Sequence, residues 1–429
     1  MARTRVLTGI TTSGTPHLGN YAGAIRPALA ASRDPSVESF YFLADYHALI
    51  KVQDPARVQR STLEIAASWL ACGLDPAQVW FYRQSDVPEI PELTWLLTCV
   101  AGKGLLNRAH AYKAAVDRNR ESGEDDDAGV TAGLFMYPVL MAADILVFNA
   151  QKVPVGRDQI QHIEMARDIG QRFNHLYGEH FTLPEAAIEQ NVATLPGLDG
   201  RKMSKSYDNV IPLFAPREQL KKLIYSIVTD SRAPGEPKDA DASNVFQLYQ
   251  AFSSDAQAAE MRRAFESGIA WGEAKQALFE RIDAEIAPMR EKYEALVANP
   301  AAIESILRDG AARLRATYAT PLLASLREAV GLRDLSKVSM AATNVDETPA
   351  PAVFKQYREA DGKFYFKLVQ GERLLLQSAG FDAPRDAGQR VAALKQAARL
   401  DDESAAMLAE GVSRADVDAA LARLAEAAA

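Results

Sequence analysis

The sequence predicts an α/β protein built on a doubly wound parallel sheet, followed by an all-helical domain and a small α+β extension. Up to residue 177, short apolar runs alternate with helical segments, which is typical of parallel strands joined by helices. Residues 217–332 show almost only helical periodicity, and short strand patterns return after residue 352. A chain of 429 residues is long enough for two or three domains with separate cores.

Parallel strands are predicted at residues 5–10, 39–44, 79–83 and 152–155. The first strand is followed by a turn rich in threonine, serine, glycine and proline, and a helix is predicted from His17. The fourth strand ends at Gly156, where a long helix is predicted to follow at residues 157–177. Because ligands bind open sheets at the carboxyl ends of strands, these two loops are candidate ligand contacts.

The domain boundaries follow from these changes in pattern. We predict a catalytic sheet domain with a helical insertion at residues 1–210, a helical domain at 211–335, a linker at 336–352 and a small α+β extension at 353–429. The linker is rich in threonine, alanine, proline and other residues that favour an extended, solvated chain.

Composition and charge exclude several classes of protein. The net charge of −8 gives no general attraction to phosphate backbones, so contacts with nucleic acid must come from local basic patches. Cys72 and Cys99 form no CxxC pair, which excludes a four-thiolate zinc or iron–sulfur site and suggests a reducing compartment. The amino terminus has no apolar signal segment, and the longest apolar run contains Asp144. We therefore expect a cytoplasmic protein without a membrane span.

Two short loops carry groups that bind phosphate. Residues 17–20 read His-Leu-Gly-Asn, in which glycine permits close backbone approach and His17 can donate a hydrogen bond to a phosphate oxygen. Residues 202–206 read Lys-Met-Ser-Lys-Ser, with two lysines able to enclose phosphate oxygens. Taken alone, residues 17–20 are equally well explained as an ordinary turn. Residues 202–206 taken alone are explained as a solvated basic loop. Together they predict a site that grips ATP from two sides.

A helix between the two loops has the composition of an amino-acid pocket. Tyr137, Met141 and Asp144 are spaced four and three apart, so they project from one helical face. An apolar face with one carboxylate suits an indole ring, whose N–H needs an acceptor. The alternative is an aspartate that caps or pairs elsewhere in the fold.

These motifs carry a family resemblance. Residues 17–20 resemble the HIGH signature, and residues 202–206 are the KMSKS signature, of class I aminoacyl-tRNA synthetases. Residues 137–146 and 155–159 resemble the amino-acid-site helix and the nucleotide-contacting turn of bacterial tryptophanyl-tRNA synthetases. The resemblance covers residues 1–335. It implies a Rossmann-like catalytic domain, an anticodon-binding helical domain and a homodimer formed through the helical insertion.

The resemblance also implies roles for individual residues. Catalysis is expected of His17, Lys202, Lys205 and Ser206. The expected ATP contacts are Thr11, Thr12, Ser13, Gly19, Asn20, Gly156, Arg157, Asp158, Leu195, Lys202, Met203, Ser204, Lys205 and Ser206. The expected tryptophan contacts are Asp144 for the indole N–H, Met141 and Ile145 for the rings, Tyr137 with Gln159 for the amino group, and His47 closing the pocket. Thr11 and Thr12 stand where many bacterial relatives carry Gln-Pro.

The function implied is ligation of L-tryptophan to tRNA(Trp) with ATP, with Mg²⁺ held mainly by the ATP phosphates and no protein-bound metal. One alternative is a tyrosyl-tRNA synthetase, against which Met141 argues because a phenol pocket would offer more polar partners. The other is a catalytically silent tryptophan sensor or RNA-binding paralogue, which would be expected to lack His17 or the signature lysines.

The carboxyl-terminal extension resembles a small strand-and-helix module of bacterial proteins. Its segment 363–368 interleaves aromatic residues with lysines, a pattern that could stack on RNA bases. The alternation of a half-buried strand explains the same residues, and the sequence alone favours that structural interpretation.

Overall fold

The computed structural model describes residues 3–12, 14–156, 159–188, 194–332, 334–337 and 351–426. The chain divides into two compact units, Met1–Arg333 and Asp334–Ala429. Most of the predicted linker lies outside the described residues. Within the described ranges, no helix is both long and apolar enough to cross a membrane.

A five-stranded parallel sheet forms the centre of the first unit. Its strands are β1 (Thr4–Thr11), β2 (Val37–Ala44), β3 (Trp80–Arg83), β4 (Lys152–Val155) and β5 (Glu185–Ile188). The spatial order is β3-β2-β1-β4-β5, and every adjacent pair is parallel. The predicted doubly wound sheet is therefore confirmed. The order reverses between β1 and β4, which places the ligand crevice at the carboxyl ends of these strands.

Helices cover both faces of this sheet. Before β4 they are α1 (Leu18–Asn20), a π-helix (Tyr21–Ile25), α2 (Arg26–Ala31), α3 (Asp45–Ala48), α4 (Pro55–Ala71), α5 (Glu89–Thr98), α6 (Lys103–Leu106), α7 (His110–Glu121) and α8 (Ala132–Leu146). After β4 comes α9 (Ile160–Tyr177), which begins later than the predicted residue 157. Residues 157 and 158 themselves lie outside the described residues.

The remaining helices of the first unit share buried clusters with the sheet domain. They are α10 (Arg217–Ser226), α11 (Asn244–Ala251), α12 (Asp255–Glu266), α13 (Trp271–Val297), α14 (Pro300–Leu314) and α15 (Thr320–Ala329). One buried cluster runs from Ile10 to Phe279 of α13. Gly310 lets α14 lie against β3, because a Cβ there would overlap the Phe81 carbonyl. The boundary predicted at residue 210, between the catalytic and the helical domain, thus crosses a continuous core. The division into these two domains remains a prediction about their separate functions.

The second unit is the expected α+β extension. Its strands β6 (Ala352–Arg358), β7 (Phe364–Gln370) and β8 (Arg373–Gln377) form an antiparallel sheet in that order. Two helices follow, α16 (Pro384–Ala397) and α17 (Arg414–Glu426). The turns between strands contain Gly362 at φ +82° and Gly371 at φ +61°, left-handed conformations that favour glycine.

Candidate active site

The two signature loops, residues 17–20 and 202–206, lie close together in the first unit. The Leu18 amide donates to the Ile211 carbonyl at 3.0 Å, and the Leu213 amide donates to the Pro16 carbonyl at 3.0 Å. A Cβ on Gly19 would lie 3.6 Å from the Met203 sulfur. Met203 is buried and anchors its loop, while Lys202 and Ser206 on either side are exposed. The sequence predicted two loops acting together, and the structure places them in contact.

His17 is held as a neutral hydrogen-bond donor. Its Nδ1 accepts from the Asn20 amide at 3.3 Å, and the Asn20 side chain accepts from the His17 amide at 3.1 Å, which forms a capping box on α1. Because Nδ1 accepts, the proton of the neutral ring is on Nε2. Burial and the nearby Lys205 ammonium lower the pKa of His17 to about 4. At neutral pH the ring can therefore donate from Nε2 without carrying charge.

Lys205 lies over the loop that follows β1. Gly14 has φ +103°, and a Cβ there would lie 3.2 Å from the Lys205 ammonium nitrogen. Glycine is therefore needed at position 14 both for its backbone conformation and for the approach of this lysine. Partial burial lowers the pKa of Lys205, and Arg57 lowers it further, while Glu64 opposes the shift. The turn at Gly14 and the Lys205 side chain therefore lie close together.

Asn209 holds the 202–206 loop in shape. Its side chain is 2% exposed, donates to the Asp199 carboxylate at 2.6 Å and the Lys202 carbonyl at 3.1 Å, and accepts from the Ser204 amide at 2.8 Å. Sequence reasoning did not find Asn209, because an asparagine in a polar loop gives no sign of which backbone groups it will reach.

We predict that Gly197→Ala will loosen this loop. A Cβ at position 197 would overlap the side-chain amide of Asn209 and would lie 2.6 Å from the backbone carbonyl oxygen of Asn209. Such overpacking costs about 1–3 kcal/mol. Urea unfolding should show that loss, and adenylate formation should slow while the KM for the amino acid stays constant. Gly104→Ala is the matched control, since a Cβ there meets nothing within 4 Å. Equal effects of the two substitutions would contradict the role given to Asn209.

Asp144 lies on α8 at the centre of a buried polar network. It is 1% exposed, and its carboxylate receives hydrogen bonds from His47 Nε2 and Gln84 Nε2, both at 2.8 Å. Burial raises the pKa of Asp144, and the bonds from His47 and Gln84 oppose that shift. Gln84 is itself fixed, because its oxygen accepts from the Tyr46 amide at 3.1 Å. Each carboxylate oxygen keeps a second lone pair with which it can accept from a ligand.

Gln84 was missed by sequence reasoning, although a signal existed. It is the first residue after β3, and therefore lies at the carboxyl edge of the sheet where ligands bind. Tyr82 of the same strand is fully buried, and its hydroxyl finds no hydrogen-bond partner among the described residues. Burial and the Asp144 carboxylate raise the pKa of Tyr82, so this hydroxyl stays protonated.

A second network joins α8 to α9. The Tyr137 hydroxyl is 2.5 Å from His162 Nε2, and His162 Nδ1 is 2.8 Å from the Gln159 side-chain oxygen. Tyr137 and Gln159, predicted to act together, are therefore linked through a buried histidine that the sequence did not single out. Met141, one turn along α8 from Tyr137, is partly buried, whereas Ile145 is 1% exposed and lies in the core.

The remaining predicted ATP contacts differ in their surroundings. Thr11 and Gly156 are exposed at the ends of β1 and β4. Thr12 is buried, with a hydroxyl that has no partner in the described part of the chain. Leu195 is 5% exposed and its carbonyl accepts from the Met203 amide at 2.8 Å. The remaining three, Ser13, Arg157 and Asp158, lie outside the described residues.

We predict that the folded protein becomes less stable in mild acid because of His17. The unfolded chain takes up a proton below pH 6.5, whereas folded His17 resists protonation until about pH 4. The free energy of unfolding should therefore decrease across this window as pH falls, by on the order of 3 kcal/mol. Urea titrations of wild type and His17→Asn, which retains a capping acceptor, measure the difference. An equal decrease in the free energy of unfolding of wild type and His17→Asn would contradict the prediction. The control is His175→Asn, at an exposed position.

The comparisons with known proteins agree with this arrangement. The family model described as tRNA synthetases class I (W and Y) matches residues 1–286. The chain belongs to this family. It is 73% identical to the tryptophan–tRNA ligase of Xanthomonas axonopodis pv. citri over 93% of both chains. It is 66% identical to that of Pseudomonas aeruginosa over 88% of this chain and 86% of the relative.

Solved members of the family share the fold of the first unit. The crystal structure of tryptophanyl-tRNA synthetase from Campylobacter jejuni, complexed with ADP and tryptophan, aligns with a TM-score of 0.70 at 42% identity. The alignment covers 76% of this chain and 100% of that chain. The resemblance stated from the sequence motifs is confirmed.

Proposed function

We propose that this chain is a tryptophan–tRNA ligase, which activates L-tryptophan with ATP and then transfers it to tRNA(Trp). The observation that carries the proposal is the buried Asp144 carboxylate, fixed between His47 and Gln84 in apolar surroundings. The names of the similar proteins support it, since the curated relatives with 61–73% identity are tryptophan–tRNA ligases.

Tryptophan recognition follows from the two networks. Asp144 accepts the indole N–H, and Met141 and Ile145 contribute apolar contacts to the rings. Tyr137 and Gln159 hold the amino group, with His162 fixing both side chains. His47 closes the pocket and at the same time donates to Asp144. An unpaired buried acceptor is costly, so side chains without an N–H, such as phenylalanine, are rejected.

In the first step, a carboxylate oxygen of tryptophan attacks the α-phosphorus of ATP. The new oxygen–phosphorus bond gives the adenylate, and the bond to the β-phosphate breaks to release pyrophosphate. His17 donates to a phosphate oxygen, and Lys202 and Lys205 stabilise the charge that develops on the leaving group. Mg²⁺ arrives with ATP, held mainly by its phosphates. Catalysis is thus positioning and charge stabilisation, without a side-chain nucleophile.

In the second step, a hydroxyl of the ribose at the tRNA 3′ end attacks the adenylate carbonyl and AMP leaves. We further propose that residues 211–335 bind the anticodon and that the enzyme is a homodimer in the cytoplasm, as the family implies. Of the basic residues on α10, Arg217 is 3.0 Å from Asp283 and the Lys221 ammonium lies 5.7 Å from the Phe279 ring centre. Lys222 is exposed.

The deciding experiment is exchange of labelled pyrophosphate into ATP with purified protein and Mg²⁺. Tryptophan, tyrosine and no amino acid are compared. Exchange with tryptophan alone supports the proposal. Exchange with tyrosine would assign the chain to the sister enzyme, and exchange with neither would point to the silent sensor or RNA-binding alternative.

A further inference from the structure

Among the residues that the structure describes, the helices of the second unit cover one face of its sheet. Phe366 and Leu368 of β7 are fully buried and pack with residues of α16 and α17, including Val391 and Leu421. Because successive residues of a strand point to opposite faces, the residues between them lie on the other side. We term this side the outer face and define it by Lys355, Tyr357, Tyr365 and Lys367.

The outer face presents two positive charges side by side. Lys355 of β6 and Lys367 of β7 are directly opposite each other in the antiparallel register. Like charges in this position destabilise a sheet. No carboxylate among the described residues is paired with either lysine. Of the acidic residues nearest in sequence, Glu359 and Asp361 follow the end of β6, and Glu372 lies in the turn between β7 and β8. Asp361 already accepts from the Tyr365 hydroxyl at 2.6 Å. The pair therefore suits an anionic ligand.

Two aromatic rings lie next to this pair of charges. Tyr357 and Tyr365 are also directly opposite in the register, and their rings stack with centres 5.7 Å apart and planes 19° from parallel. The Lys367 ammonium is 5.4 Å from the centre of the Tyr357 ring. Both tyrosines are partly exposed, whereas the neighbouring Phe366 is in the core. The structure thus separates the aromatic residues of this segment into a core set and an outer set.

We propose that the outer face binds single-stranded RNA. Unpaired bases stack on Tyr357 and Tyr365, and the adjacent phosphates contact Lys355 and Lys367. Proteins that bind single strands combine these two elements, because every base has a π-face and every nucleotide a negative charge. An acidic peptide would use the lysines but would leave the tyrosine pair without a role. The inference does not depend on the proposed ligase activity.

The test uses the full-length protein and a short fluorescein-labelled RNA of mixed sequence, either single-stranded or in a duplex. Fluorescence anisotropy gives affinity at several salt concentrations. Lys355→Gln/Lys367→Gln should weaken single-strand binding ~5-fold or more and reduce the salt slope by about 0.7 for each phosphate that is no longer neutralised. The charge-matched control is Arg385→Gln/Arg399→Gln, which removes two exposed charges on or beside α16 and should leave affinity within twofold, roughly the scatter for remote sites.

A second variant tests the aromatic contribution. Tyr357→Val/Tyr365→Val retains strand-forming residues and should weaken single-strand binding ~5-fold or more with little effect on duplex binding. Circular dichroism checks that the sheet is intact, and tryptophan-dependent pyrophosphate exchange should be unchanged in all variants. Equal losses in the arginine control would overturn the proposal. So would tyrosine variants with wild-type affinity, or a labelled polyglutamate peptide that binds the face more tightly than the RNA.

Discussion

Asp144→Asn should lower kcat/KM for tryptophan activation by ~10²–10³-fold. Asparagine has nearly the same shape, but its NH₂ group must face one of the donors that now point at Asp144, namely His47 or Gln84. It also removes the charge that strengthens the hydrogen bond from the indole N–H. Pyrophosphate exchange over a range of tryptophan concentrations measures the change.

An analogue without the N–H makes this test specific. β-(3-Benzothienyl)alanine has sulfur in place of the indole nitrogen group, so the wild-type enzyme should use it ~10⁴-fold less well than tryptophan. Asp144→Asn should narrow that difference, because the substitution and the analogue weaken the same hydrogen bond. Asp168→Asn, at an exposed position of α9, is the control. If the substitution lowered activity with both amino acids equally, Asp144 would be supporting the fold and not reading the indole.

Lys205→Ala should reduce kcat for adenylate formation by ~10²–10³-fold, which corresponds to about 2.7–4 kcal/mol of lost transition-state stabilisation. The KM for tryptophan should change little, because Lys205 lies against the Gly14 loop, whereas the Asp144 carboxylate is held by His47 and Gln84. Single-turnover formation of the adenylate isolates this step.

The matched control is Lys292→Ala, which removes an exposed lysine from α13. It should leave adenylate formation at the wild-type rate. Activation at the wild-type rate in Lys205→Ala would remove this lysine from the catalytic step, and a rise in the KM for tryptophan with constant kcat would assign it to substrate binding.

The sequence predicted the parallel sheet well because β1, β2 and β3 are rich in β-branched, aromatic and other apolar residues. It missed β5, since Glu185–Ile188 contains two alanines and no β-branched residue before its end. It also predicted an ordinary helix after His17, where the chain forms a π-helix at Tyr21–Ile25. The change from α-helical to π-helical hydrogen bonding depends on tertiary packing. It does not alter the spacing of apolar residues in the sequence.

At the site, the signature motifs predicted residues that would face a ligand, but not the residues that hold these side chains and loops in place. Gln84, His162 and Asn209 are polar residues whose importance comes from partners 60, 25 and 10 positions away. A residue pattern read over a short stretch of sequence does not reveal contacts between residues so far apart. Each of the three becomes evident only when the fold brings separate elements together.

The separate core of the second unit has an evolutionary consequence. Within the described part of the chain, its buried cluster is built from residues 352 onward, and no described side chain of the first unit contributes to it. The solved Campylobacter relative is matched over its whole length by 76% of this chain. Mutations in the extension can therefore accumulate under selection of their own, and a lineage could acquire or discard the module without rebuilding the catalytic core.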